Sequence, residues 1–183
     1  MPELNFDKII SLNAEGDKAT SASIGVFNGY ASLTVWSSSL KGAPLVRIPL
    51  GRATLVKLRH DLQKLINSGK PGDNFGYNFS KWDNETKTSS NIGSVRMGRD
   101  DKALFAIGVQ IPKHPPIKFV LKTPISFDTS EAMSDVQRSE LAAQTMVDQL
   151  TYDVPYALAL TSFKREAQRS GGNGGSGGDP NFF

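Results

Sequence analysis

The sequence predicts an α+β protein in which antiparallel strands followed by an amphipathic helix occur twice. Residues 21–67 and 75–151 each combine several short strand patterns with one helical pattern. In both units the hydrophobic period changes from two to about 3.6, as expected where strands give way to a helix. We therefore expect one domain over residues 1–165, built from these two sheet-plus-helix repeats. Residues 166–183 are expected to form a disordered glycine-rich tail.

A hairpin opens the first repeat. Ser21–Asn28 reads as a strand, and Asn28-Gly29 between two strand patterns is a strong signal for a two-residue turn. The next strand alternates, with Ala31, Leu33 and Val35 on one side and Tyr30, Ser32, Thr34 and Trp36 on the other. One face is thus apolar, and the other carries hydroxyl groups and two aromatic rings. A second short strand, Leu45–Leu50, follows a polar loop.

The first helix is predicted from Thr54, a candidate N-cap, to a glycine-rich stop at residues 68–72. Its apolar stripe consists of Leu55, Leu58, Leu62, Leu65 and Ile66. We expect this stripe to lie on the apolar face of the sheet. The opposite face, with Tyr30, Ser32, Thr34 and Trp36, would then be left without a helix.

Four strands and a helix are predicted in the second repeat. Phe75–Trp82 alternates and is rich in aromatic residues, and a polar loop follows it over residues 83–91. The remaining strands are predicted over residues 93–99, 103–111 and 117–122. Ser134 and Gln137 have the spacing of a capping box, which predicts the start of a helix that continues to about Leu150. A short further helix is predicted to about Phe163.

Charge is unevenly distributed along the chain. The formal net charge is +3, but residues 41–122 contain 15 Lys and Arg against 6 Asp and Glu. This imbalance favours an anionic partner for the middle of the chain. The sequence has no cysteine, which excludes disulfides and thiolate-bound metals. The first ten residues do not resemble a secretory signal, and no apolar run is long enough to span a membrane. We expect a cytoplasmic protein, located in the host cytoplasm if a phage encodes it.

The residue types that bind single-stranded nucleic acid are concentrated on the predicted strands. Aromatic rings stack on unpaired bases, and Lys and Arg contact phosphates. The candidates are Tyr30, Ser32, Thr34, Trp36, Lys41, Arg47, Tyr77, Phe79, Lys81, Trp82, Arg96, Arg99, Lys102, Lys118 and Lys122. For Phe75, Tyr77 and Phe79 a place in the core is an equally good interpretation, because all three share one side of their strand.

Signals for catalysis are weak, and we expect neither an enzyme nor a bound metal or cofactor. The two histidines, His60 and His114, are predicted at the surface. The alternative is a metal-dependent nuclease that uses Asp73, Glu85 and Lys87, an acidic pattern that can hold magnesium. A basic adaptor or structural protein is a third interpretation.

The order of elements resembles the whirly family of single-stranded-DNA-binding proteins and their transcription-coactivator relatives, of phage or bacterial type. The resemblance covers about residues 21–160. It is carried by the strand–strand–helix unit 32–65, by Ser89–Arg96 leading into a hairpin, and by Asp153-Val154-Pro155-Tyr156 after the last helix. It implies two repeats of four antiparallel strands and a helix. The alternative fold is an OB-fold β-barrel with appended helices.

The expected function is therefore binding of single-stranded DNA, or of RNA, with little sequence preference, in replication or recombination. We also expect a homo-oligomer. The tail resembles those with which single-strand-binding proteins recruit replication partners, and its candidate contacts are Asp179, Phe182 and Phe183.

Overall fold

A computed structural model describes residues 6–37, 43–123 and 132–170, except for the side chains of Lys18 and of residues 163–170. The strands are β1 (Ile10–Ala14), β2 (Asp17–Phe27), β3 (Tyr30–Ser37), β4 (Val46–Leu50), β5 (Asn74–Asp83), β6 (Thr88–Arg99), β7 (Phe105–Gln110) and β8 (Ile117–Val120). The helices are α1 (Arg52–Ser68), α2 (Asp135–Asp148) and α3 (Val154–Ser170), and a π-helical turn, Gln149–Asp153, joins α2 to α3.

All eight strands belong to one antiparallel sheet in the order β4-β3-β2-β1-β8-β7-β6-β5. The two halves meet at a seam between β1 and β8, where Ala14 opposite Phe119 is the only paired position that the described residues show. A hydrogen bond from the Glu15 amide to the Lys118 carbonyl, 2.8 Å long, supports the same seam. The sheet is curled like a barrel, and the Ile48 side chain comes within 3.7 Å of the place where a Cβ on Gly93 would lie.

The β2–β3 hairpin forms where the sequence predicts it. Asn28 and Gly29 have φ angles of 50° and 79°, as a two-residue turn with two left-handed positions requires. The Gly29 amide donates to the Thr161 hydroxyl at 3.1 Å, so α3 is fixed against this turn. Leu33 and Val35 on β3 point into the core, as the alternation predicts.

The helices cover the inner face of the sheet. Leu55, Leu58, Leu62 and Leu65 of α1 are all buried, which confirms the predicted apolar stripe. Leu58 borders a small apolar space together with Leu33 of β3 and Met146 of α2, so both halves contribute to one core. Ser134 and Gln137 form the predicted capping box at the start of α2. The prediction of Thr54 as the N-cap of α1 is wrong, because the helix begins after Gly51.

The coarse fold prediction, an α+β protein with antiparallel strands and amphipathic helices, is confirmed. Four strands precede α1 and four precede α2. The first half contains a strand, β1, that was not predicted, and β2 begins at Asp17 instead of Ser21. The curled, barrel-like sheet is a feature that the OB-fold alternative predicted.

Candidate nucleic-acid interface

The strand register decides which predicted side chains share the outer face, by which we mean the side of the sheet turned away from the apolar core. On β3 and β4, Thr34 lies opposite Arg47. On β6, β7 and β8, Arg96 lies opposite Gly108, which in turn lies opposite Lys118. The sheet order places β2 and β1 between these sets. The outer face therefore has two groups of predicted residues, one on β3–β4 and one on β6–β8.

The β3–β4 group presents one exposed cation. Arg47 is exposed, and no carboxylate of the described residues lies within 4 Å of its guanidinium. Ser32 and Trp36 are half-buried on the same face. Thr34 is only 6% exposed, so the prediction that its hydroxyl contacts a ligand finds no support.

The expectation that this face is uncovered holds only in part. The chain at Asp7 crosses over β2, because a Cβ on Gly25 would lie 2.0 Å from the Asp7 carbonyl oxygen. The Val26 amide donates to the Phe6 carbonyl at 2.9 Å and fixes this crossing. The outer face of β2 is thus occupied near the C-terminal end of the strand, and the two groups of predicted residues lie to either side.

Arg96 of β6 projects from a part of the outer face where the neighbouring positions have no side chains. It is exposed and is flanked across the strands by Gly76 of β5 and Gly108 of β7. A Cβ built on either glycine would be 3.9 Å from the nearest Arg96 atom, an ordinary contact distance. The fold therefore does not require glycine at these two positions. Glycines inside a strand allow another molecule to approach the sheet closely.

Lys118 and Lys122 are already paired with acids. The Lys118 ammonium lies 2.9 Å from Asp100 and 3.0 Å from Glu15, and these hydrogen bonds raise its pKa. Lys122 lies 2.7 Å from Asp135, and this contact lowers the pKa of the Asp135 carboxyl. Both cations are thus partly neutralised, and they are weaker phosphate ligands than Arg47 and Arg96.

Arg99 has a structural position that its predicted role did not anticipate. Its guanidinium donates to Glu140 of α2 at 3.2 and 3.3 Å, and its Nε donates to the Leu65 carbonyl at the end of α1. It also lies 4.3 Å from the ring centre of Phe105, and its side chain is 9% exposed. Arg99 connects two helices to the sheet and lies on the inner side, away from the outer face.

Tyr77 and Phe79 were predicted to bind nucleic acid, but they lie on the inner side of β5 and pack against the core. The Tyr77 hydroxyl donates to the carboxylate of Asp61 on α1, and Lys57 donates to the same carboxylate at 2.8 Å. Burial of the Tyr77 ring and the Asp61 carboxylate both raise the pKa of Tyr77, so the hydroxyl remains protonated. These aromatic side chains hold α1 against β5.

The β5–β6 hairpin extends beyond the sheet as an arm, residues 80–91. β7 pairs with β6 only from Ser94 onward, so the arm has no third strand, and all its residues are exposed. A bulge at its base leaves Ile92 without an opposing residue, and Gly93 adopts a φ of 154°. Trp82 on the arm is 56% exposed, and the side chain of the preceding residue, Lys81, is exposed on the opposite side of the two-stranded arm. The arm therefore presents an aromatic ring and a cation.

The remaining candidates are dispersed. Lys102 is exposed in the β6–β7 turn, at the opposite end of β6 from the arm. Tyr30 is 63% exposed at the β2–β3 turn, where it borders a cavity formed with α1 and α3. Four predicted residues lie outside the described part of the chain, namely Lys41, Asp179, Phe182 and Phe183.

The residues of the nuclease alternative do not lie close enough together to hold a metal ion. Asp73 precedes β5 and Glu85 follows it, so the ten residues of the strand, about 30 Å, separate the two carboxylates. Lys87 lies at the tip of the arm beside Glu85. Within the described residues, no three His, Asp or Glu side chains are grouped so that they could hold a metal ion.

Comparison with known proteins identifies no relative: no family model, curated protein or solved structure matches this chain. Within the described residues, none of the helices combines the length and the apolar character needed to cross a membrane.

The sequence contained signals for two residues whose roles were not predicted. Arg99 has the same strand parity as Val95 and Met97, both buried, and this parity places it on the inner side. Asp61 lies three positions after Leu58 and four before Leu65, on the apolar stripe of α1. A carboxylate at such a position indicates a buried partner, which is Tyr77.

Proposed function

We propose that this chain binds single-stranded DNA with little sequence preference, through the outer face of its sheet and the β5–β6 arm. The observation that carries the proposal is that Arg47 and Arg96 are exposed on the outer face with no acidic partner among the described residues, and that an exposed indole, Trp82, lies on the arm. Cations that contact phosphates and aromatic rings that stack on bases are the two components of single-strand binding.

The arm favours a single strand over a duplex. A base can stack on Trp82 only if its face is free, and in a duplex the neighbouring base pairs cover that face. Because Gly76 and Gly108 beside Arg96 have no side chains, a flexible sugar–phosphate backbone can approach the sheet closely there. An RNA strand has the same two features, and direct competition between DNA and RNA oligonucleotides would measure the preference.

For the fold we propose a whirly-like arrangement of two repeats. Four antiparallel strands precede a helix in each half, and the two halves join edge to edge at β1 and β8. This order supports the proposal over the OB-fold alternative, which is built on a five-stranded Greek-key barrel.

The experiment is a fluorescence-anisotropy titration of a labelled 30-nucleotide single strand and of the matching duplex at several salt concentrations. We expect the single strand to bind more tightly, and its affinity to fall with salt with a slope of about −0.7 for each phosphate contact. Arg47 and Arg96 together would give a slope of about −1.4. Equal affinity for the duplex, or a response independent of salt, would refute the proposal.

Action in replication or recombination, assembly into a homo-oligomer and recruitment of replication proteins through the tail are further parts of the proposal. Light scattering on the free and DNA-bound protein would measure the oligomeric state. Capture of replication proteins by the full-length chain, compared with a variant in which Phe182 and Phe183 are replaced by serine, would test the tail.

A further inference from the structure

A cavity of about 610 Å³ lies apart from the proposed interface, between the start of α1, the β2–β3 turn, the end of β4 and α3. Its walls are mostly apolar, with Leu50 and Leu55 on one side and Pro155 and Leu158 on the other. Tyr30 and Val56, two of the large apolar side chains that remain exposed, lie on its border. This surface is suited to apolar groups of another segment.

The rim of the cavity is basic. Arg52 and Arg59 both line it, and none of its lining residues is acidic. α1 begins beside them without a side-chain cap at Gly51 and without an acidic residue in its first turn, so its first amide groups add positive potential. An occupant should therefore combine aromatic or aliphatic groups with a carboxylate.

We propose that the cavity binds a segment of this same chain, the Asp179–Phe183 sequence of the tail, with the two phenylalanine rings in the apolar part and the Asp179 carboxylate at the arginines. The segment Asp-Pro-Asn-Phe-Phe contains both required chemistries within five residues. The proposal is independent of the nucleic-acid interface, since the cavity lies outside the outer-face groups and the arm. A replication protein that binds the same tail residues would compete with the cavity for them.

The connection is long enough for this contact within one molecule. α3 itself lines the cavity at Leu158 and Ser162, and its last residue, Ser170, lies eight positions further on, about 12 Å along the helix. The spacer that follows, Gly-Gly-Asn-Gly-Gly-Ser-Gly-Gly, could span up to about 26 Å. This is about twice the 12 Å between Ser170 and the part of α3 that lines the cavity. Glycines also accept the positive φ angles that a reversal of direction needs.

A second copy could offer the same segment, and so could an acidic aromatic peptide of another protein. The contact within one chain is favoured because a short tether gives an effective concentration of about 1 mM, well above the concentration of free protein in most settings.

The absence of cysteine from the natural sequence allows a direct proximity test on the full-length chain. In the variant Val56→Cys/Asn181→Cys, one thiol lies on the border of the cavity and the other within the tail. The matched control is Lys64→Cys/Asn181→Cys, whose helix thiol is exposed on α1 about 12 Å further from the cavity. Disulfide formation under mild oxidation is followed by non-reducing electrophoresis at low protein concentration.

We expect the intramolecular disulfide to form at least about tenfold faster in the Val56→Cys pair than in the control pair, since a bound tail maintains the higher local concentration. Adding Arg52→Glu and Arg59→Glu should reduce that rate to the control value, with the circular dichroism spectrum unchanged. Equal rates in the two pairs would overturn the proposal. A disulfide that forms mainly between molecules, at a rate that rises with protein concentration, would overturn it in favour of the tail of a second copy.

Discussion

At the scale of single residues, the arginines and lysines of the middle segment differ in what they can offer a ligand. Arg47 and Arg96 are exposed on the outer face, whereas Lys118 and Lys122 are paired with acids. A cation that must first leave an acid gains less from a phosphate than one that has only water around it. The number of positive charges in the sequence therefore overstates the number of phosphate ligands.

Arg96→Ala should weaken binding of a single strand and reduce the magnitude of the salt slope by about 0.7, the contribution of one phosphate contact. Lys122→Ala is the matched control, because it removes one positive charge that Asp135 already neutralises. Anisotropy titrations of both variants from low to moderate salt would measure the slopes. A Lys122→Ala effect as large as that of Arg96→Ala would contradict the assignment of the interface.

Asp61 links stability to pH. Burial alone would raise the pKa of its carboxyl, but the hydrogen bonds from Lys57 and Tyr77 outweigh burial and lower it. In the unfolded chain this carboxyl titrates near its usual value of about 3.9. Its contribution to stability is therefore present above about pH 4 and is lost as the pH falls from there toward the lower folded pKa.

Asp61→Asn should lower the free energy of unfolding by about 1–3 kcal/mol at pH 7, the usual cost of weakening a buried hydrogen-bonded charge. The difference from the natural chain should shrink as the pH falls below about 4, because the carboxyl then becomes neutral in both states. Urea unfolding followed by circular dichroism between pH 7 and pH 2.5 would measure it. A difference that stayed constant across this range would assign the effect to packing alone.

At the scale of elements, the arm is the feature on which the proposed function depends most directly. Trp82→Ala should weaken single-strand binding by about 1–3 kcal/mol, the value of one base–aromatic stack. Its effect on stability should stay within about 0.5 kcal/mol, since exposed side chains contribute little to folding. Tyr152→Ala provides the control, because Tyr152 is a similarly exposed aromatic residue on the π-helical turn, away from the interface.

Tryptophan fluorescence provides a second measurement of the contact between Trp82 and a base. The chain contains two tryptophans, so Trp36→Phe leaves Trp82 as the single indole. Stacking on a base should quench its emission on addition of a single strand. Unchanged emission at saturating oligonucleotide would place the strand elsewhere.

The elements differ in how well the sequence predicts them. Three features were predictable, because each depends on residues close to it in the sequence. They are the α1 leucines, the Asn28-Gly29 turn and the Ser134 capping box. β1 was not predicted, since its five residues have only Ile10 and Leu12 as large apolar side chains and it is stabilised by pairing with β2.

The candidate site was less predictable than the fold. The alternation of β5 showed that Tyr77 and Phe79 share one side, but only the position of α1 decides that this side is the inner one. The burial of Thr34 and the crossing of Asp7 over Gly25 likewise depend on contacts between distant segments. Local periodicity assigns side chains to faces, and tertiary packing decides which face remains open.

At the scale of the whole molecule, the weakest join in the sheet is the seam between β1 and β8. Ala14 opposite Phe119 is its one pair among the described residues, whereas β2 and β3 pair over eight positions. We expect the Glu15 amide, which donates to the Lys118 carbonyl across the seam, to exchange with deuterium much faster than the Leu33 amide within the β2–β3–β4 ladder. Hydrogen exchange followed by NMR would measure both, and equal protection would show that the seam opens only with the whole domain.

The same seam bears on the order in which the chain folds. Ala14 and Phe119 are about 100 residues apart, so closing them early would cost more chain entropy than forming any hairpin of the sheet. Each four-stranded meander has contacts mostly between neighbours in the sequence, and each can form before the other. We expect the two meanders to gain protection first and the β1–β8 contact to appear last, as one joining step that α2 completes by packing Met146 against both halves.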